Sequence, residues 1–392
     1  MTMFEDHDYI QQLNLAKRPV ILAGYGVRAA DAVQEFLAFI EHLNIPVLTT
    51  WKAIDLLPDG HPLYCGRPGS IGQRAANIIQ QKADFILVLG ARLDPDQVGF
   101  RYDLFAKNAK RVQVDIDPEE FRKYPRGFVQ FVVDDLKHYL NYPQVFETHD
   151  SEWLNWCKEL NNRYPAMLPE HMEGDLNIYQ LSDALCKASL PDDVLAIGSS
   201  GPSANIILQT WKVKEGQRFI FAPALGAMGT DIPGAIGACI ASGRKRTICV
   251  TGDGGFQLNA QELEVIRRLN LPIKIFVISN GGYGSIAGMQ DKYFGKRVGC
   301  DPQSGFTMPH IEDIAKAYRI EWSWISEDTE DINADVEWVM KFPERMIVTV
   351  PCPLIQEQTP RIQSRMVDGQ IVSAPMEDLY PVLPELEQVM NE

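Results

Sequence analysis

The chain has 392 residues, a length that suits two α/β domains with connections better than one ordinary core. Its formal charge is −15 and it has no basic run, which argues against nucleic acid or an anionic membrane surface as its main partner. The seven cysteines are scattered without a Cys-x-x-Cys pair, and no apolar run is long enough to span a bilayer. We therefore expect a reduced, soluble, cytoplasmic protein.

Residues 1–145 alternate short apolar runs with helical patterns and predict a central Rossmann-like domain. Val, Ile and Leu dominate the apolar runs, and turn residues bound them. The runs predict strands over residues 20–23, 45–50, 85–89 and 111–116. Apolar strands separated by helices imply a mostly parallel sheet that helices cover on both faces.

A second α/β domain is predicted over residues 176–355. Its predicted strands cover residues 194–197, 218–222, 247–251, 273–279 and 346–350. Residues 146–175, rich in Asn, Glu, Trp and Pro, predict a linker, and residues 356–392, with several prolines, predict a C-terminal tail. The predicted fold class is α/β, with two mostly parallel sheets flanked by helices.

Two glycines follow the first predicted strand in a pattern that superficially resembles a dinucleotide-binding turn. Gly24 and Gly26 stand in the spacing Gly-x-Gly-x-x-Ala. The next strand ends in Thr-Thr-Trp at residues 49–51, without the acidic residue that would hold a ribose. We interpret both glycines as structural, so a nicotinamide oxidoreductase rests on this weak pattern alone.

Two glycine-rich segments follow strands of the second domain and carry the strongest functional signal. They are Gly-Asp-Gly-Gly at residues 252–255 and Asn-Gly-Gly-Tyr-Gly at residues 280–284, and a helix is predicted to begin near Ala260. Both segments lie at carboxyl ends of strands, where open α/β sheets bind ligands. The glycines let backbone N–H groups approach a diphosphate, and Asp253 and Asn280 offer the oxygen atoms that Mg²⁺ prefers. An ordinary tight turn is the alternative interpretation of a lone Gly-Asp-Gly.

The whole stretch from 252 to 280 resembles the acetolactate synthase branch of the thiamine diphosphate (ThDP) enzymes. The family's motif ends in Asn-Asn and its second Asn binds the metal; here Ser279 replaces only the first. The resemblance implies ThDP as cofactor, with Mg²⁺ held by Asp253, Asn280 and the main-chain carbonyl of Gly282. It also implies cofactor contacts from Gly252, Gly254, Gly255, Tyr283 and Gly284.

Two further segments resemble cofactor contacts of the same family. In similar enzymes a bulky side chain at the position of Met228 wedges between the two rings of the cofactor, and the carbonyl of Gly226 accepts a hydrogen bond from its 4′-amino group. Core packing is the alternative for Met228. Ser199 and Ser200 occupy the place where similar enzymes contact the diphosphate, and a plain polar turn is the alternative there.

The first domain leaves FAD binding open. In similar enzymes the central domain holds FAD in some members and nothing in others. Residues 66–69, 90–92 and 114–118 resemble FAD-contacting segments of acetolactate synthases, whereas residues 93–99 lack their Asp-Asp-Arg run. The sequence therefore favours neither FAD binding nor its absence in this domain.

The resemblance spans about residues 14–355 and matches only the central domain and the diphosphate-binding domain of such enzymes. The pyrimidine-binding domain, whose Glu hydrogen-bonds the ring N1′ atom of ThDP, has no counterpart, and none of Glu41, Glu262 and Glu264 can be assigned that role. A separate pyrimidine-domain subunit, a truncated chain and a loss of catalysis are the explanations left open. By analogy we expect a homodimer or a tetramer.

The resemblance implies a ThDP- and Mg²⁺-dependent decarboxylase or carboligase, hence a lyase or transferase, that acts on a 2-oxo acid such as pyruvate. Residues 364–369 and 375–379 look more like members that modify nucleotide-linked sugars, so such a sugar is a candidate acceptor. The alternative is a partner-dependent or inactive ThDP-binding subunit.

Overall fold

The computed structural model describes residues 8–367 and 370–392. Within them the chain forms two compact units, one made of residues 8–166 with 359–392 and the other of residues 167–358. Residues 1–7 of the N-terminus, and Asp368 and Gly369 of the sugar-enzyme resemblance, lie outside the described residues.

The first unit is built on a five-stranded sheet in which every strand pair is parallel. Its strands are β1 Pro19–Ala23, β2 Val47–Thr49, β3 Phe85–Leu89, β4 Lys110–Asp115 and β5 Gln130–Val133, in the spatial order β2-β1-β3-β4-β5. Its α-helices are Asp8–Leu15, Gly26–Ala29, Val33–Leu43, Arg74–Lys82, Pro95–Val98, Leu136–Leu140 and Glu152–Arg163. β1 and β3 are buried along their whole length, as their continuous apolar runs require in a sheet covered on both faces.

Gly24 and Gly26 serve backbone packing, as their interpretation as structural glycines predicted. A Cβ atom at Gly24 would lie 2.2 Å from the carbonyl oxygen of Gly90, and one at Gly26 would lie 2.6 Å from the Cα atom of Gly90. The amide of Gly26 donates to the Gly90 carbonyl at 3.0 Å. Any side chain would therefore separate the turn after β1 from the end of β3.

Residues 359–392 belong to the first unit, although they follow the second unit in the chain. Arg361–Ile362 pairs antiparallel with Leu379–Tyr380, Ser364–Val367 pairs with Gln370–Ser373, and a helix covers Leu386–Asn391. The guanidinium of Arg74 donates to the carbonyl of Leu379 at 3.1 Å. The side-chain amide of Asn77 donates to the carbonyl of Met376 at 2.7 Å.

The second unit is built on a six-stranded parallel sheet. Its strands are β6 Val194–Ile197, β7 Arg218–Ile220, β8 Thr247–Gly252, β9 Ile273–Ser279, β10 Glu321–Trp324 and β11 Met346–Pro351, in the order β10-β11-β9-β8-β6-β7. Its α-helices are Ile178–Ala188, Pro202–Thr210, Asp231–Ala241, Asp253–Leu258, Leu263–Leu269, Gly284–Phe294, Ile311–Tyr318 and Ile332–Lys341. The predicted fold class, two parallel-sheet α/β domains, is confirmed.

The strand order of the second unit creates a crevice at one edge of its sheet. β6 pairs with β7 on one side and with β8 on the other, so the order of the strands reverses between β6 and β8. Ligands of open α/β sheets bind outside the carboxyl ends of the strands at such a switch point. Across the described part of the chain, no helix combines the length and the apolar character that crossing a membrane requires.

Candidate functional site

A cavity of about 190 Å³ opens at the carboxyl ends of β6, β8 and β9. It is lined by Ile178, residues 198–203, Met228, Asp231, residues 252–255, Ile278, Asn280 and residues 282–286. The predicted site residues other than Gly226 all belong to this lining. Gly226 adopts a φ of +59°, and a Cβ atom there would lie 3.5 Å from the carbonyl oxygen of Ser199, which places Gly226 beside the lining. The functional roles assigned to these residues stay predictions.

Asp253 joins the ends of β8 and β9. Its carboxylate accepts hydrogen bonds from the amides of Gly254 at 2.8 Å, Gly281 at 2.9 Å and Asn280 at 3.2 Å. The side chain is buried, and burial raises the pKa of this carboxyl while the amide hydrogen bonds oppose that rise. The helical segment predicted near Ala260 is confirmed as a 3₁₀ turn over Ala260–Glu262 that leads into the helix Leu263–Leu269, whereas the short helix Asp253–Leu258 before it was not predicted. Three glycines weaken the local helical signal, whereas the tertiary hydrogen bonds of Asp253 hold the segment in place.

The loop after β9 is packed so closely that it has no room for side chains at two of its glycines. A Cβ atom at Gly282 would lie 2.2 Å from the carbonyl oxygen of Cys300, and one at Gly284 would lie 2.2 Å from that of Leu354. The side-chain oxygen of Asn280 accepts from the amide of Gly282 at 3.2 Å. The loop therefore holds the Asn280 side chain next to the backbone of residue 282.

Met228, Gly254 and Tyr283 come together on one wall of the cavity. A Cβ atom at Gly254 would lie 2.6 Å from Cε1 of Tyr283 and 2.9 Å from Cε of Met228. Met228 is 38% exposed, so core packing does not account for it. The missing side chain at 254 lets the Met228 thioether and the Tyr283 ring pack directly over the backbone.

Ser199 and Ser200 differ in their surroundings. The Ser199 hydroxyl is hydrogen-bonded to the Thr230 hydroxyl at 2.9 Å and accepts from the amide of Ala222 at 2.9 Å. Ser200 is exposed and precedes the helix Pro202–Thr210, whose first turn lines the cavity. Ser199 thus links the end of β6 to the segments that contain Ala222 and Thr230. Ser200 and the first turn of the helix Pro202–Thr210 are available to bind an anion.

Asp231 also lines the cavity, although it is not among the site residues predicted from the sequence. It is 3% exposed, and burial raises the pKa of its carboxyl. An acidic residue in the first turn of a helix ordinarily complements the helix dipole, so the sequence around Asp231 carries no distinct functional signal. Only the folded chain brings it next to the glycine-rich loop.

The donor atoms around Asp253 fit a magnesium ion that arrives together with a phosphate ligand. Within residues 8–367 and 370–392 no three or more His, Cys, Asp or Glu side chains gather in a group that could hold a metal ion. A metal here would have one carboxylate from Asp253, the amide oxygen of Asn280, main-chain carbonyls and oxygens of the ligand. Mg²⁺ is commonly bound in this way, through one or two carboxylates plus substrate phosphates.

The segment at residues 66–69, which resembles an FAD contact, is engaged within the first unit. Arg67 is fully buried; its amide donates to the Gln73 side chain at 2.9 Å and its guanidinium to the Tyr64 hydroxyl at 2.6 Å. The amide and carbonyl of Gly69 are bonded to the Asn77 side chain at 2.9 and 3.0 Å. These contacts give the segment a structural role and lend no support to FAD binding.

Two family models match the chain. Residues 7–141 match the thiamine pyrophosphate enzyme central domain, and residues 199–350 match the thiamine pyrophosphate enzyme C-terminal TPP binding domain. Thiamine pyrophosphate (TPP) and ThDP are the same compound.

Curated relatives extend the same similarity. The chain is 29% identical over 368 residues to a probable acetolactate synthase large subunit of Methanococcus aeolicus, covering 87% of this chain and 61% of that protein. It is 32% identical over 293 residues to the acetolactate synthase isozyme 1 large subunit of Escherichia coli (strain K12), covering 74% and 51%. It is 34% identical over 292 residues to the acetolactate synthase large subunit of Corynebacterium glutamicum, covering 73% and 46%. The chain thus spans roughly half of the length of these relatives, and it belongs to the thiamine pyrophosphate enzymes, of which it carries a central domain and a C-terminal TPP binding domain.

Proposed function

We propose that this protein is a ThDP- and Mg²⁺-dependent enzyme that acts on 2-oxo acids in the manner of acetolactate synthases. The observation that carries the proposal is that Asp253 and Asn280 line one cavity at the switch point of the second sheet. The loops at residues 198–201, 252–255 and 280–284 meet there. ThDP, when bound, supplies the carbon nucleophile and the electron sink that decarboxylation of a 2-oxo acid requires. The names of the relatives support a pyruvate-like donor.

The chain's own residues would bind and orient the cofactor. Asp253, Asn280 and the carbonyl of Gly282 would hold Mg²⁺, and the amides of the glycine-rich loops would donate hydrogen bonds to the diphosphate. The exposed side chain of Met228 would support the bend between the cofactor rings, and the Gly226 carbonyl would orient the aminopyrimidine. Water would be excluded as the cofactor fills the cavity.

The proposal also covers the acceptor substrate, the oligomeric state and the cellular compartment. The likeness of residues 375–379 to sugar-modifying members supports a nucleotide-linked sugar as acceptor. Family resemblance supports a homodimer or a tetramer, and the scattered cysteines support the cytoplasm.

A second candidate function is a ThDP-binding subunit that depends on a separate pyrimidine-binding domain. The acidic residues that line the cavity are Asp231 and Asp253, and no glutamate of the described residues is among the lining. In similar enzymes a Glu hydrogen-bonds the ring N1′ atom and activates the cofactor. That carboxylate would have to approach this cavity from outside its present lining.

Calorimetric titration of the full chain with ThDP tests the binding claim. We expect saturable ThDP binding in the presence of Mg²⁺ and at least about ten-fold weaker ThDP binding when EDTA removes the metal. The reason is that the protein supplies only one carboxylate to the proposed metal site. Asp253→Ala should lose the Mg²⁺-dependent binding, whereas Asp313→Ala, an exposed aspartate of the same unit, should keep it. A folded wild-type chain that binds no ThDP would contradict both candidate functions.

Release of CO₂ from pyruvate separates the two candidates. Release by the chain alone, lost in Asp253→Ala, supports the enzyme. Binding without release, followed by release once a pyrimidine-binding domain is added, supports the dependent subunit. Binding without release from any 2-oxo acid in either condition would contradict the carboligase proposal.

A further inference from the structure

Asp231 is a buried carboxylate at the cavity for which the proposed binding roles have no use. Its Oδ1 atom accepts from the amide of Ile232 at 3.0 Å, and its Oδ2 atom accepts from the hydroxyl of Thr251. It is the first residue of the helix Asp231–Ala241, while Thr251 lies at the carboxyl end of β8, two positions before Asp253. The carboxylate therefore joins a helix start to the strand that carries the loop.

The same carboxylate lies against the glycine-rich loop. A Cβ atom at Gly255 would lie 2.8 Å from Oδ2 of Asp231 and 2.9 Å from Oγ1 of Thr251. A Cβ atom at Gly198, which follows β6, would lie 3.6 Å from the same Oδ2 atom. Asp231 thus stands between the ends of β6 and β8, beneath residues 252–255.

The loop depends on tertiary contacts for its order, and the hydrogen bonds of Asp253 to the amides of residues 280 and 281 are one such contact. Three of the four residues 252–255 are glycine, which loses more backbone entropy on ordering than any other residue. A metal ligand must nevertheless be held to within a fraction of an ångström, and a buried hydrogen bond to a carboxylate is among the stronger restraints available. The bond between Thr251 and Asp231 acts at the point where the loop begins.

We propose that Asp231 is the positioning residue of the site: through Thr251 it fixes the loop that carries Asp253, and so determines the affinity for Mg²⁺ with a diphosphate. This inference rests on the proposed ThDP site. It predicts that removing the Asp231 carboxylate weakens ThDP binding. Charge alone would have the opposite effect, because a bare second carboxylate would repel the diphosphate and its removal would tighten binding.

The test compares the full-length chain with Asp231→Ala, Asp231→Asn, Thr251→Val and the double variant Asp231→Ala/Thr251→Val. Thr247→Val is the matched control, because Thr247 is the first residue of β8 and its buried hydroxyl donates to the carbonyl of Lys245 at 3.2 Å. Two quantities are measured: hydrogen exchange of the amides of residues 253–255 without cofactor, and the Kd of ThDP at saturating Mg²⁺. Thermal unfolding confirms that each variant is folded.

We expect Asp231→Ala and Thr251→Val each to speed exchange of the loop amides and to weaken ThDP binding about ten-fold. The double variant should lose no more than either single one, because both remove the same bond. Asp231→Asn should stay within about three-fold of the wild type, since its amide can accept from Ile232 and donate to Thr251. Thr247→Val should change neither quantity.

Unchanged loop exchange in Asp231→Ala and Thr251→Val would overturn the proposal, and so would tighter ThDP binding by Asp231→Ala. Additive losses in the double variant would show that Asp231 does not act through Thr251. If the wild-type chain binds no ThDP, the proposed function fails. The exchange measurement still decides then whether Asp231 orders the loop.

Discussion

Gly254 shows how one missing side chain lets two others pack against the backbone of the cavity wall. An alanine there would place its Cβ atom 2.6 Å from the Tyr283 ring and 2.9 Å from the Met228 methyl group. Because this Cβ atom would displace the Tyr283 and Met228 side chains from the cavity wall, we expect Gly254→Ala to weaken Mg²⁺-dependent ThDP binding at least about ten-fold. Calorimetric titration measures the loss.

Gly237 is the matched control for that substitution. A Cβ atom there meets nothing within 4 Å, and the residue lies inside the helix Asp231–Ala241. Gly237→Ala should leave ThDP affinity unchanged and raise the free energy of unfolding by about 0.5–1 kcal/mol, because alanine has the higher helix propensity. Equal ThDP affinity in Gly254→Ala and the wild type would show that this packing of Tyr283 and Met228 does not matter for ThDP binding.

At the scale of an element, β9 buries a lysine among apolar residues. Lys274 is 2% exposed, and its ammonium donates to the carbonyls of Phe342, at 2.6 Å, and Glu344. Burial, with the nearby Arg246, lowers the pKa of this ammonium from 10.5 to about 8. The strand thus carries an ionisable group whose charge is costly to keep.

This lysine gives the free energy of unfolding a definite pH dependence. Between about pH 8 and 10.5 the unfolded chain keeps the proton that the folded chain has lost, so this group's contribution to stability rises with pH. Below about pH 8 both states hold the proton and the full cost, roughly 3 kcal/mol, is present. Lys274→Met removes this dependence.

Urea unfolding at pH 7.5 and 10 checks the sign. The unfolding free energy of the wild type minus that of Lys274→Met should become more positive at the higher pH. Lys292→Met, at an exposed position of the same unit, controls for the loss of a lysine side chain as such. A difference that is constant with pH, or that falls, would contradict the burial argument.

At the scale of the whole molecule, residues 359–392 complete the first unit through buried polar contacts. Arg74 and Asn77 donate to carbonyls of this segment, and Lys82 donates to those of Val389 and Met390 at 3.1 Å. Ending the chain after Gln358 would remove these carbonyls from all three side chains, although Asn77 would keep its hydrogen bonds with the backbone of Gly69. We expect the first unit to lose several kcal/mol of stability while the second keeps its own.

Hydrogen exchange resolves the two units in one experiment. Amides of β1 and β3 should exchange faster in the shortened chain, whereas those of β8 and β9 should not. Arg74→Ala in the full-length chain should reproduce part of the effect, on the order of 1–3 kcal/mol, because the Arg74 guanidinium donates to the carbonyls of Leu379 and Pro381. Unchanged exchange in β3 would show that the first unit is stable without the segment.

Strands that lie inside the sheets could be predicted, and strands at two edges could not. β1, β3, β8 and β9 each carry a continuous apolar run because helices cover both of their faces. β5 and β10 were not predicted: most of their residues are at least partly exposed, so they lack such a run. Their pairing is decided by the neighbouring strand.

The sequence by itself determined the fold class, the family and the proximity of Asp253 and Asn280. In two parallel neighbouring strands joined by one helical crossover, the carboxyl ends meet at the same edge, so local order along the chain fixes their approach. Only the tertiary structure decided that Asp231 lies beside Gly255, that a helix starts at Asp253, and that residues 359–392 join the first unit. These features depend on contacts between segments distant in the chain, and no local pattern of residues records which distant surfaces will pack together.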